Sequence, residues 1–113
     1  MSSPSEPVSP TADWHPALPA DELPAGAIRA VEVAGRALVV VRQGDRYVVM
    51  DRWCPHQEGD LAAGRVLGGT LKCPLHGYMF SLDTGRGLNC RGYNARLHEA
   101  QVTDGMVEIR LRS

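Results

Sequence analysis

Two short cysteine–histidine pairs carry the chemistry legible in this chain: Cys54-Pro55-His56 and Cys73-Pro74-Leu75-His76, with sixteen residues between His56 and Cys73. Each pair offers one thiolate and one imidazole. Together they make a single four-ligand metal site, and they supply the ligand set in which two histidines replace two cysteines on one iron of a 2Fe-2S cluster. An all-cysteine cluster carries more negative charge and holds its electrons at low potential, whereas neutral imidazoles on one iron raise the potential to roughly −150 to +300 mV. The candidate ligands Cys54, His56, Cys73 and His76 therefore point to electron transfer. Zinc is the competing occupant, but structural zinc sites draw on C-x2-4-C followed by H-x3-5-H, or on four cysteines, and mixed pairs are unusual among them. The neighbouring residues suit ligand loops. Pro55 and Pro74 fix φ and lack an N–H, while Gly59 and Gly77 allow close backbone approach or positive φ.

Such loops need a rigid frame, and the rest of the chain reads as strands. Ala27 to Val33 and Arg36 to Arg42 are rich in Val and Ile and are joined through Ala34-Gly35; Arg46 to Arg52 follows the turn signal Gln43-Gly44-Asp45. These three form a meander. Leu38 to Val41 is a continuous apolar run, which predicts a strand buried on both faces. Thr70 to Cys73 and Tyr78 to Leu82 read as short strands flanking the second ligand loop, and Asp83-Thr84-Gly85 as the turn beyond them. Ala95 to Val102 and Met106 to Leu111 alternate around Thr103-Asp104-Gly105, a hairpin signal that should close the sheet. Asp21-Glu22-Leu23 is expected to make one helical turn before Pro24, and there are no internal repeats.

At 113 residues the chain suits one domain, over 14–113, with Met1 to Asp13 a Ser- and Pro-rich disordered lead-in. Twelve basic and thirteen acidic residues nearly cancel, so nucleic acid is not implied. Locally, Glu58 and Asp60 in the first ligand loop offer negative charge that could steer a basic partner, against the plainer reading of solvated carboxylates. Four histidines exist and two are committed to the cluster; His15 and His98 read as polar surface or half-buried side chains. A mononuclear iron centre of two histidines and a carboxylate has no ligand pattern here. Cys90 is left as a lone thiol, expected to be apolar filler in a reducing compartment. The first residues have neither a basic region nor an apolar stretch of a secretory signal, and no apolar run approaches the length of about 20 residues that spans a bilayer. A cytoplasmic protein with no membrane contact, monomeric on its own, is the expectation.

The pattern C-x-H, sixteen residues, C-x-x-H resembles the Rieske family. The resemblance runs from about Trp14 to Arg112, through Cys54-Pro55-His56-Gln57, the Gly64 to Gly69 turn region, Cys73-Pro74-Leu75-His76-Gly77 and Asp83-Thr84-Gly85. It implies an all-β fold, a small antiparallel sandwich or barrel with an inserted cluster-binding subdomain, and one Rieske-type 2Fe-2S cluster per chain. Cys54 and Cys73 would hold the inner iron, and His56 and His76 the outer, surface-facing iron that changes valence. Because iron(III) favours proton loss from the exposed ring nitrogens, the potential should fall as pH rises.

Two departures from the respiratory members of the family follow. Their loop disulfide would need cysteines where Gly59 and Leu75 stand, and their serine and tyrosine hydroxyls, which donate to sulfur, match Tyr78 and Phe80. Phe80 has no hydroxyl, so the resemblance implies a ferredoxin toward the low end of the Rieske range. Such a carrier has no catalytic residue of its own. It takes electrons from a flavin-dependent NAD(P)H reductase and passes them to a terminal oxygenase, either an aromatic-ring dioxygenase or a di-iron hydrocarbon monooxygenase; Cys54 to Glu58 with Thr84 to Asn89 looks like the ferredoxin of the second type. The alternative is a small Rieske-fold subunit of a larger reductase such as nitrite reductase.

Overall fold

A computed structural model describes residues 14–54, 59–74, 77–89 and 92–112. The expected lead-in, both histidine ligands, Glu58, Leu75 and Cys90 lie outside the described residues. Among the described residues nine strands run in chain order: β1 (His15–Pro19), β2 (Ile28–Val33), β3 (Arg36–Gln43), β4 (Arg46–Asp51), β5 (Arg65–Leu67), β6 (Thr70–Lys72), β7 (Met79–Ser81), β8 (Leu97–Thr103) and β9 (Met106–Arg110). They form a six-stranded sheet of order β1-β9-β8-β4-β3-β2 and a three-stranded sheet β5-β6-β7, with every pairing antiparallel. The outer strands β1 and β2 approach each other, so the larger sheet curls into a nearly closed barrel. The smaller sheet is inserted between β4 and β8, as an all-β fold with a cluster-binding subdomain requires.

The hairpins form where turn chemistry allows. Ala34 and Gly35 both take positive φ, 51° and 80°, as do Asp104 and Gly105, 52° and 78°. That is the mirror-image turn whose twist matches the flanking strands. Ala34 pays for its unusual φ with strain that Asn or Asp would feel less.

The apolar run of β3 serves two cores. Leu38 and Val40 face the barrel interior with Leu18, Val49, Val107 and Ile109. Val39 and Val41 face outward, against Met50, Leu61, Leu71, Phe80 and Leu82. Alternation in a strand sends successive side chains to opposite faces, so a run with no polar member must be covered on both. A 3-10 turn at Ala20–Glu22 falls where one helical turn is expected, starting one residue earlier than Asp21.

Two strands escape the sequence reading. β1 contains Pro16 and Pro19, and pairs only with β9, through an irregular register between Pro16 and Leu18. Proline is tolerated there because β1 is an edge strand with no second neighbour to receive its missing N–H. β5 lies inside the stretch read as a turn region; only Gly68 and Gly69 form the turn, with Leu67 paired to Thr70.

His98 departs from the expectation of a surface or half-buried group. It is 6% exposed, its Nδ1 accepts the Arg112 backbone N–H at 2.9 Å, and its Nε2 lies 2.8 Å from Asp51 Oδ1. With Nδ1 accepting, Nε2 carries the proton and donates to the carboxylate, which Arg36 also contacts at 3.2 Å. Both ring nitrogens are satisfied, and the residue locks β8 to β4.

Candidate metal centre

Each predicted ligand loop opens from a buried cysteine. Cys54, just after β4, is 2% exposed, and Cys73, just after β6, is fully buried. Both belong to the apolar core between the outer face of the barrel and the small sheet. Each loop is also closed the same way: the Cys54 N–H donates to the Gly59 carbonyl and the Cys73 N–H to the Tyr78 carbonyl, both at 2.7 Å and both spanning five residues. His56 occupies the middle of the first span and His76 of the second. The structure therefore brings Cys54 and Cys73 into one core and fixes the two ends of each loop.

The first loop stands on an ionic clamp that the sequence reading missed. Trp53 and Asp60 form a β-bridge across its base, and Leu61 N–H donates to the Arg52 carbonyl. Arg52 Nε and Nη2 each donate to one oxygen of Asp60, both at 2.9 Å, a bidentate geometry. Asp60 Oδ1 also accepts from Ala62 N–H, capping the 3-10 turn at Leu61–Ala63. The Arg52 hydrogen bond holds the Asp60 carboxyl below its ordinary pKa, opposed by burial and helped by the Ala62 N–H; the same pair raises Arg52. Asp60 is thus an ionised, partly exposed carboxylate held in an ion pair, not a free loop carboxylate. The Asp-Leu-Ala-Ala order is a capping signal, but its arginine partner eight residues back leaves no local pattern. The Arg52 guanidinium in turn lies over Trp53, 4.9 Å from the ring centroid.

The second loop is held by glycine and asparagine. Gly77 takes φ +69°, the left-handed region open to it at little cost. Asn89 Oδ1 accepts the Met79 N–H at 2.8 Å, and its amide nitrogen donates to the Gly77 carbonyl at 3.3 Å. Asn89 is a second positioning residue without a sequence signal, because its partners are ten and twelve residues away. Gly64 packs so closely that a Cβ there would lie 2.3 Å from the Lys72 carbonyl oxygen, which ties the start of β5 to the residue before Cys73. Phe80, the position lacking a hydroxyl, is fully buried in the core that contains both cysteines.

Two buried thiols in one apolar core, each leading a loop of fixed span, fit an iron-sulfur group better than a surface zinc clasp. Sulfur ligands in a dry setting suit a cluster whose potential depends on burial and hydrogen bonding. Among the described residues no group of three or more Cys, His, Asp or Glu side chains gathers as a further metal site.

Comparison with known proteins gives the family. The chain spans only 16% of the 5,5'-dehydrodivanillate O-demethylase oxygenase subunit of Sphingobium sp., to which it is 40% identical over 68 residues, or 59% of its own length. By contrast, it matches 92% of the anthranilate 1,2-dioxygenase ferredoxin subunit of Burkholderia cepacia, at 30% identity over 87% of this chain. The solved ferredoxin of carbazole 1,9a-dioxygenase from Nocardioides aromaticivorans superposes with a TM-score of 0.81 at 26% identity, covering 88% of this chain and 98% of that one. These two relatives, matched nearly end to end, are named as ferredoxin components, which are electron carriers and not catalytic subunits. Residues 13–107 match the Rieske [2Fe-2S] domain, so the chain belongs to that family and its cofactor is a Rieske-type 2Fe-2S cluster.

Proposed function

We propose that Cys54, His56, Cys73 and His76 hold one cluster and that the chain is a one-electron carrier between a flavin-dependent NAD(P)H reductase and a terminal oxygenase. The observation that carries this reading is the equivalence of the two loops. Each starts at a buried cysteine and is pinned by the same five-residue backbone hydrogen bond around a central histidine position. When bound, the cluster supplies a reversible one-electron couple. The chain's residues do the rest: the apolar core around Cys54 and Cys73 keeps water from the sulfur side, and the Arg52–Asp60 clamp and Asn89 hold the loop bases. No side chain is assigned to bond making or breaking, because substrate chemistry belongs to the oxygenase. Near end-to-end likeness to dioxygenase ferredoxins supports an aromatic-ring dioxygenase as the acceptor ahead of a di-iron monooxygenase. Among the described residues no helix is long and apolar enough to cross a membrane, which accords with a carrier that diffuses between partners.

The test is low-temperature electron paramagnetic resonance on dithionite-reduced protein, with iron and sulfide quantified on the same sample. A rhombic signal of low average g-value, with two irons and two sulfides per chain, is expected. Zinc without sulfide in a colourless, silent protein would end the carrier reading.

A further inference from the structure

The small sheet carries a charge arrangement that its own stability does not explain. Arg65 on β5 and Lys72 on β6 are direct cross-strand partners, and Met79 on β7 continues the row. Both cations are exposed. Among the described residues neither forms an ion pair. Like charges directly opposite each other destabilise a strand pair. Here they border an open groove of about 510 Å³ that also includes Leu67, Cys73, Pro74 and Gly77 and, among the described residues, has no acidic side chain in its lining. Leu67 is 47% exposed, an apolar side chain left uncovered beside the cations. Asp60, the carboxylate at the base of the first loop, is already committed to Arg52. The basicity is local, since the whole chain has a formal charge of −1.

We infer that Arg65, Lys72 and Leu67 form the docking surface for the carrier's redox partner, and that the partner presents a carboxylate-rich patch around an apolar centre. This rests on the electron-carrier reading and reverses the polarity suggested by Glu58 and Asp60 in the sequence. The groove lies against Cys73, so a partner held there sits beside the second ligand loop. Gly64 fixes the geometry: its close approach to the Lys72 carbonyl holds the two cationic strands in register. Complementary charge of this kind speeds encounter and orients the complex more than it tightens it.

The test uses the full-length, cluster-loaded protein. After dithionite reduction and removal of excess reductant, stopped-flow spectroscopy follows its oxidation by the hexacyanoferrate(III) anion or the tris(phenanthroline)cobalt(III) cation; one electron passes from the cluster to the oxidant's metal in each case. The expected result is an anion rate that falls with ionic strength and drops about tenfold in the Arg65→Glu/Lys72→Glu variant, while the cation rate rises. Arg29→Glu, on β2, should leave both rates unchanged. A wild-type anion rate that rises with salt, or a double variant with unchanged rates, would overturn the inference.

Calorimetric titration with poly-L-glutamate provides a second reading that needs no electron transfer. Salt-sensitive binding that is lost in the double variant supports a carboxylate partner; tighter binding to duplex DNA than to polyglutamate overturns it. A preparation without cluster would sink the carrier reading alone, and the titration would still decide the surface.

Discussion

Phe80 and Asp60 show how single side chains tune and hold the centre. Phe80 fills the core with both cysteines but offers no donor, whereas the family resemblance places a hydroxyl at its position. Phe80→Tyr should raise the reduction potential. A net hydrogen bond of about 1 kcal/mol toward the more negative, reduced sulfur corresponds to roughly 40 mV for a one-electron couple. Protein-film voltammetry reads the shift directly, and an unchanged potential would mean that the hydroxyl turns away from sulfur. Asp60 acts on stability. Its folded pKa lies below the unfolded value because Arg52 hydrogen-bonds the carboxylate, so its contribution is complete above the ordinary aspartate range, about 3.9, and is lost as pH falls through the depressed value. Thermal melts should therefore decline more steeply below about pH 4 in the wild type than in Asp60→Asn, whose side chain no longer titrates. Parallel pH profiles would remove Asp60 from the clamp. The two buried cysteines could be singled out because the pattern that marks them is local in the sequence. The Arg52 and Asn89 contacts were not, because each joins residues that meet only after the strands have paired.

At the scale of the element, legibility followed how much of a strand's signal lies in its own residues. β3 could be read as buried on both faces because four consecutive apolar residues leave no solvent face. β1 was hidden by two prolines that only its edge position makes tolerable, and β5 by its brevity between glycines. That short strand nonetheless positions Cys73. Gly64 precedes it at φ −81°, a value any residue can adopt, so only space demands glycine there. Gly64→Ala would drive a methyl into the Lys72 carbonyl and push β6, with Cys73 behind it, out of place. The expected loss is on the order of 3 kcal/mol, together with reduced cluster content. Gly35→Ala is the contrast: its φ of +80° costs about 1 kcal/mol, nothing lies within contact of the added methyl, and the turn is far along the chain from either ligand loop. Urea melts combined with iron and sulfide assays separate the two. Equal iron content in both variants would refute the role given to Gly64.

Across the whole molecule, β3 and β4 serve as a wall between two cores. Leu38 and Val49 belong to the barrel interior, while Val39 and Met50 belong to the core that contains Cys54 and Cys73. A barrel that shares its wall with the core around Cys54 and Cys73 cannot unfold while that core stays intact, so one cooperative transition is expected for both. The two faces should still differ in what they control. Leu38→Ala and Met50→Ala each remove a fully buried side chain, and each should cost about 2–5 kcal/mol. The Leu38 cavity opens on the side away from sulfur and should leave the visible spectrum and potential of the surviving folded protein unchanged. The Met50 cavity opens beside the cysteines, loosening the dry packing on which the potential depends, and should shift both. Voltammetry at a temperature where both variants remain folded makes the comparison. A shift of the same size in Leu38→Ala would show that the cluster responds to global loosening, and the division of labour between the two faces of this wall would have to be abandoned.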